Sequence, residues 1–148
     1  WPAENFARLA ECLRRFPEVQ LLFFKGPDES GIIESIKAIL RQPIVVADCS
    51  SHISHLGALL KRCRLFIGND SGPRHLAAAV GTPTLTLMHR AKLKTWKIYD
   101  EFQGHFVVTD KVDNPESDRA LYEASTVNTL VSISVDEVYN KVREILGL

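Results

Sequence analysis

The sequence predicts a doubly wound α/β domain, a mostly parallel sheet with helices on both faces. Two observations carry that prediction. Apolar runs of strand length alternate with amphipathic stretches of helix length along the chain, and breaks rich in Gly, Pro, Asn and Asp separate them. The first such run, Val19 to Phe24, is continuous rather than alternating, which suits a strand covered on both faces. A chain that moves strand, helix, strand returns to the sheet through each helix, and a parallel sheet follows.

The elements read in order as follows. Phe6, Leu9, Ala10 and Leu13 recur at helical spacing, and Pro2 suits a first turn, so residues 2–15 are expected to be helical. VQLLFF, bounded by Pro17 and Gly26-Pro27, is the first strand. GIIESIKAIL is a helix, IVVA a strand, and HISHLGALLKRC a helix with Ile53, Leu56, Leu60 and Cys63 on one face. RLFIG, TLTLM and HFVVT supply three more strands, with the short helix RHLAAAV between the first two of them. Ser134 and Glu137 have capping-box spacing ahead of Val135, Val138, Val142, Ile145 and Leu146, so a helix is expected to follow them. DNPESDRALYEASTVNTL begins on an Asn114-Pro115 turn and fits either a helix or an irregular excursion.

Composition narrows the functional classes. The 148 residues suffice for one domain with a real core, and 18 Lys plus Arg balance 18 Asp plus Glu. Such a chain lacks the positive field of a general nucleic-acid binder, so a charged partner must be met by a local patch. Cys12, Cys49 and Cys63 are odd in number and irregularly spaced, which argues against a disulfide framework and a structural zinc site and for a reducing compartment. His52, His55 and His105 have no third ligand at metal spacing. No apolar run approaches the roughly 20 residues that span a bilayer, and no leader pattern is apparent. WPAENFARLAECL opens with an aromatic and a proline at the head of an amphipathic pattern, so residues 1–148 are expected to be one domain of a longer protein.

With strand order 2-1-3-4-5, winding reverses between the first and third strands and opens a crevice at their carboxyl ends. KGPDES and NDSGPRH line it. In the second loop Gly72 permits close backbone approach, Pro73 suits a first helical turn, and the N–H groups opening the next helix face a would-be anion. Phosphate is the natural guest, with Ser71 as a hydroxyl donor and Arg74 or His75 bringing charge to the same oxygens. The alternative is that Asp70 or Ser71 merely caps the helix at a surface turn. Lys25 and Asp28 fit either the crevice or a plain turn. DSGP is not a serine-protease nucleophile here, because it lies between a parallel-type strand and a helix, and no G-x-S-x-G elbow is present.

FIGNDSGPRHLAAAVGTPTLTL closely resembles the signature of the lipopolysaccharide heptosyltransferases, glycosyltransferase family 9, in which D-[ST]-G-x-x-H precedes an alanine run and G-x-P. WPAENFARLAECL resembles that family's W-P-x-E-x-F-A-x-L helix, FFKGPDE its G-G-P-x-E loop, and ISVDEVYNKVREIL its closing helix. The resemblance implies a GT-B architecture of two Rossmann-like domains, with this chain as the C-terminal half that holds the nucleotide sugar, ADP-heptose above all. It implies that Asp70, Ser71, Gly72, Pro73 and His75 surround the diphosphate and sugar, Pro73 without an N–H to give. Glu29 would meet the ribose, and Ser51 and His52 the base. The implied reaction is inverting sugar transfer to a hydroxyl of the lipopolysaccharide core, with the base in the missing N-terminal half, no cofactor, no metal, and no activity in the isolated domain. The implied place is the cytoplasm, against the inner membrane.

This chain also departs from the resemblance. Where the family reads L-F-G-P-T after the fourth strand, Met88, His89 and Arg90 stand here, followed by a basic run with Lys92, Lys94 and Lys97. That run suits the donor diphosphate, acceptor phosphates, an anionic membrane surface or plain solvent. Two further readings therefore stay open: a GT-B-like nucleotide-sugar epimerase half, and a non-catalytic nucleotide-sugar-binding domain.

Overall fold

The computed structural model describes residues 1–93, 100–111 and 129–148. Among the described residues, five α-helices and five strands follow one another in the expected order. They are α1 (Ala3–Leu13), β1 (Leu22–Lys25), α2 (Ser30–Leu40), β2 (Val45–Asp48), α3 (Ile53–Leu60), β3 (Phe66–Asn69), α4 (Gly72–Ala79), β4 (Thr84–Met88), β5 (His105–Thr109) and α5 (Val135–Leu146). The 113–128 part of DNPESDRALYEASTVNTL, and Lys94 and Lys97 of the basic run, lie outside the described residues.

Among the described residues all strand pairs are parallel. β1 pairs with β2, and β3, β4 and β5 pair in that order. This matches the expected order within each part, but among the described residues no ladder joins β1 to β3. Side chains join them instead, since Phe24 of β1 packs on the cluster of Leu56, Leu60, Phe66 and Ala77. β1 is consequently only half-buried along its length, not covered on both faces as its sequence suggests. The lead-in residues Val19 and Leu21 still pack on the main core.

β4 is the strand that meets the fully buried description, with all five residues buried. Its two faces differ in chemistry. Leu85 and Leu87 join Leu9, Leu13, Val108, Val138 and Val142 in the main core, which places α1 and α5 on one side of the sheet. Each such side chain contributes roughly 1.5–3 kcal/mol by leaving water. Ala7 and Ala10 of α1 also seat Ile36 and Leu40 of α2 on that side. On the opposite face lie Thr84 and Thr86, with α3 and α4 packed beyond Phe66. Helices thus cover both faces, as the alternation requires.

The local signals act largely as the sequence suggests. Ser134 accepts the Glu137 amide at 3.2 Å, which is one half of a capping box; the Glu137 carboxylate instead lies 3.3 Å from Lys111 Nζ. Gly81, at φ +82°, closes α4 and lets the chain turn into β4. Ala77 is fully buried between α3 and the sheet, and its small side chain gives α4 a close seat.

Candidate functional site

Within each sheet the described strands are parallel, so the turns that follow them emerge at the carboxyl end of that sheet. The β1–β2 end carries Glu29 and Ser51, and the β3–β4–β5 end carries the Asp70–His75 turn, His89 to Lys92, and Asp110.

The centre is the passage from β3 to α4. Asp70 N–H continues the ladder by donating to Leu87 O at 3.2 Å, and Ser71 is the residue from which α4 starts. The Ser71 side chain makes no capping bond; its hydroxyl donates to Asn69 O at 3.2 Å. Asp70 does not cap the helix either, since its Oδ1 lies 3.0 Å from Arg74 Nη2. Arg74 N–H turns back to Ser71 O at 3.2 Å and Pro73 has no N–H, which leaves the Ser71 and Gly72 amides as the donors of the helix start. Ser71 and Gly72 are both exposed, and a Cβ on Gly72 would meet no atom within 4 Å beyond its chain neighbours and its own helix backbone, so the start of α4 is open to solvent.

Arg74 is where the structure corrects the sequence. Its side chain is only 3% exposed and lies against Asp70, so it does not project toward an outside anion. Its Nη2 also contacts His75 Nε2 at 3.0 Å, and because a guanidinium only donates, Nε2 is the acceptor. His75 is therefore tied to the inner wall of the turn. Lys92, on the next turn along the edge, brings its Nζ to 4.0 Å from Asp70 Oδ2 with 29% of its side chain exposed. One carboxylate thus faces two cations beside the open start of α4, where the helix dipole adds further positive potential.

The flanking turns are ordered by their own acids. Glu29 Oε2 accepts the Gly26 amide at 2.7 Å and closes the turn after β1. Lys25 pairs with Asp48 across the β1–β2 register at 2.6 Å. That hydrogen bond, with the hydroxyl and amide of Ser50, holds the Asp48 carboxyl far below the ordinary range. Lys25 is thus committed within the sheet edge, whereas Ser51 is exposed on the turn after β2. His52 and His55 stack edge to face at 4.9 Å, and among the described residues no group of three His, Cys, Asp or Glu converges as a metal site.

The turn after β4 was legible in the sequence only as a departure. His89 is buried, with Nε2 3.3 Å from Asp110 Oδ2, while its Nδ1 accepts the Ala91 amide at 3.1 Å. Asp110 Oδ1 accepts the Arg90 amide at 2.8 Å. Sequence reading misses Asp110 altogether; its signal is an acid immediately after a strand, and that signal gains meaning only once β5 is known to lie beside β4.

Comparison with known proteins bears on the family and the fold. Residues 1–123 match the sequence profile of glycosyltransferase family 9 (heptosyltransferase). The chain is 30% identical over 121 residues to a lipopolysaccharide heptosyltransferase 3 of Escherichia coli, covering 80% of this chain and 36% of that protein. It is likewise 30% identical over 103 residues to the lipopolysaccharide heptosyltransferase 3 of Escherichia coli strain K12, covering 68% of this chain and 30% of that one. The crystal structure of a family 9 glycosyl transferase from Veillonella parvula superimposes with a TM-score of 0.83 at 26% identity, over 99% of this chain and 41% of that one. The chain therefore spans about a third of the length of the curated relatives it matches. With the motif, the parallel α/β fold and the matched span in agreement, the chain belongs to glycosyltransferase family 9.

Proposed function

We propose that this chain is the donor-binding, C-terminal half of a two-domain GT-B enzyme that transfers a sugar, with inversion, onto the lipopolysaccharide core. Its donor is a nucleotide-diphosphate sugar, ADP-heptose, bound as substrate rather than cofactor. The observation that carries this reading is the open start of α4 at the carboxyl edge of a parallel sheet, with clear space over Gly72 and positive charge beside it. That is the arrangement a diphosphate requires, because backbone amides, a helix dipole and nearby cations all stabilise phosphate oxygens. The family of the chain supports sugar transfer as the reaction.

In this reading the Ser71 and Gly72 amides bind the diphosphate. Asp70 and His75 keep the turn in shape through Arg74, and Pro73 sets its direction. Glu29 receives the ribose hydroxyls at the next turn, with Lys25 steadying that wall through Asp48, and Ser51 borders the base. The acceptor oxygen attacks the anomeric carbon, the bond to the diphosphate breaks, and the nucleoside diphosphate leaves with the bonding electrons. A base on the N-terminal half takes the acceptor proton. The partners are then that half and the lipopolysaccharide acceptor, at the cytoplasmic surface of the inner membrane. Among the described residues no helix is long and apolar enough to cross a membrane.

Calorimetric titration of the chain with ADP, ADP-heptose, and UDP and GDP sugars tests the reading. Adenine-specific binding with no turnover by the isolated chain is expected. A folded chain that binds none of them overturns it.

A further inference from the structure

We infer that Lys92 is a diphosphate-contacting residue of the donor site and that the buried His89–Asp110 pair is the device that positions it. The inference rests on the proposed donor site and names side chains that the family signature does not contain. Its basis is a continuous chain of contacts. β4 and β5 run in a register that sets Met88 opposite Thr109, so the next residues of the two strands, His89 and Asp110, emerge side by side. Both are buried, and they meet at 3.3 Å.

Each of the two then grips the backbone of the following turn. Asp110 Oδ1 accepts the Arg90 amide at 2.8 Å, His89 Nδ1 accepts the Ala91 amide at 3.1 Å, and His89 O accepts the Lys92 amide at 2.9 Å. Three successive amides are thus fixed by two residues. A turn held at three consecutive positions has little freedom to redirect its side chains, so the path of Lys92 toward the β3–α4 turn is set by the clasp.

The ammonium of Lys92 ends 4.0 Å from Asp70 Oδ2, beside the open start of α4. Asp70 already has a buried guanidinium at 3.0 Å on its other oxygen. Lys92 thus brings a second cation to the same carboxylate, at the start of α4. Lys92 also retains solvent exposure, unlike Arg74. A partly exposed ammonium next to two helix-start amides is suited to the phosphate oxygens that gain charge as the sugar departs.

The test compares a nucleoside diphosphate with its monophosphate, ADP and AMP, by titration calorimetry on the chain. Lys92→Met is expected to weaken ADP about tenfold, the scale of one lost charge-assisted contact, and to change AMP less than about twofold. Lys92→Arg is expected to restore most of the difference. His89→Gln and Asp110→Asn are each expected to weaken ADP relative to AMP, and to add no further loss to Lys92→Met. A purely structural role for the clasp would instead weaken ADP and AMP alike and act equally in both backgrounds, and that result overturns the positioning role. An unchanged ADP to AMP ratio in Lys92→Met overturns the assignment of Lys92 while leaving the donor site standing. A folded wild-type chain that binds no nucleoside diphosphate overturns both.

Discussion

Replacing Asp70 by Asn should destabilise the domain through Arg74, before any ligand is considered. The Arg74 side chain is 3% exposed, and the guanidinium meets Asp70 Oδ1 at 3.0 Å. At that distance and an effective dielectric near 20, the gross attraction is about 5.5 kcal/mol. Asn removes the charge but keeps an oxygen acceptor, so the expected net loss is about 3 kcal/mol, the lower part of the range for breaking a buried pair from one side. For a domain of this size that lowers Tm by about 6–12 °C, since each kcal/mol shifts it by about 2–4 °C. Thermal unfolding followed by circular dichroism reads the shift directly. Arg74→Met should destabilise as well, but the double variant Asp70→Asn/Arg74→Met should lose less than the sum of the singles, because the cation that loses its carboxylate in Asp70→Asn is then removed too, with a coupling of about 1–3 kcal/mol. Additive single effects, or a Tm shift below about 2 °C for Asp70→Asn, would refute the view that Asp70 serves the fold through Arg74.

Three other outcomes are expected. Gly72→Ala should leave stability within about 1 kcal/mol of wild type, because the added methyl meets nothing within 4 Å, while weakening ADP binding by occupying the space before the amides; equal ADP affinity in the two proteins would place the anion elsewhere. Leu85→Ala, at a fully buried position in the central strand, should cost about 2–5 kcal/mol in urea unfolding, and a loss below that range would show that the core can collapse around the cavity. His105 is held below its ordinary pKa by burial first and by the charge of Arg74 second, with Asp100 opposing, and Thr84 Oγ1 lies 3.0 Å from its Nδ1. The unfolded chain therefore binds the proton more readily, so the His105 contribution is fully present above about pH 6.5 and declines as pH falls toward the folded pKa. Unfolding of His105→Gln across that window should show a shallower pH slope than wild type, and an identical slope would sink the assignment.

What the sequence could reveal, it revealed where the cause is local. Helical spacing in Ala3–Leu13, the Ser134 cap and the Gly81 break each depend on residues within a turn or two of one another. The same holds for the start of α4, where Asp70, Ser71, Gly72 and Pro73 mark the passage from strand to helix within a few residues. β1 reads less well. Continuous apolarity in VQLLFF suggests cover on both faces, but how much of a strand is buried depends on its neighbours, and among the described residues β1 has a ladder only with β2.

The chemistry of the edge was settled by pairings the linear order conceals. Arg74 reads as a ligand-facing cation from its place in the motif, yet burial against Asp70 and contact with His75 turn it inward. Asp110 carries no motif at all; it meets His89 only because β5, which begins at His105, is registered beside β4, which ends at Met88. The sequence by itself determined a parallel α/β domain with a helix start exposed at its carboxyl edge, because periodicity and turn chemistry act over a few residues. Only the tertiary structure decided which charges face that edge and which are consumed within it, because strand register and burial, not spacing along the chain, choose the partner of each ionised group.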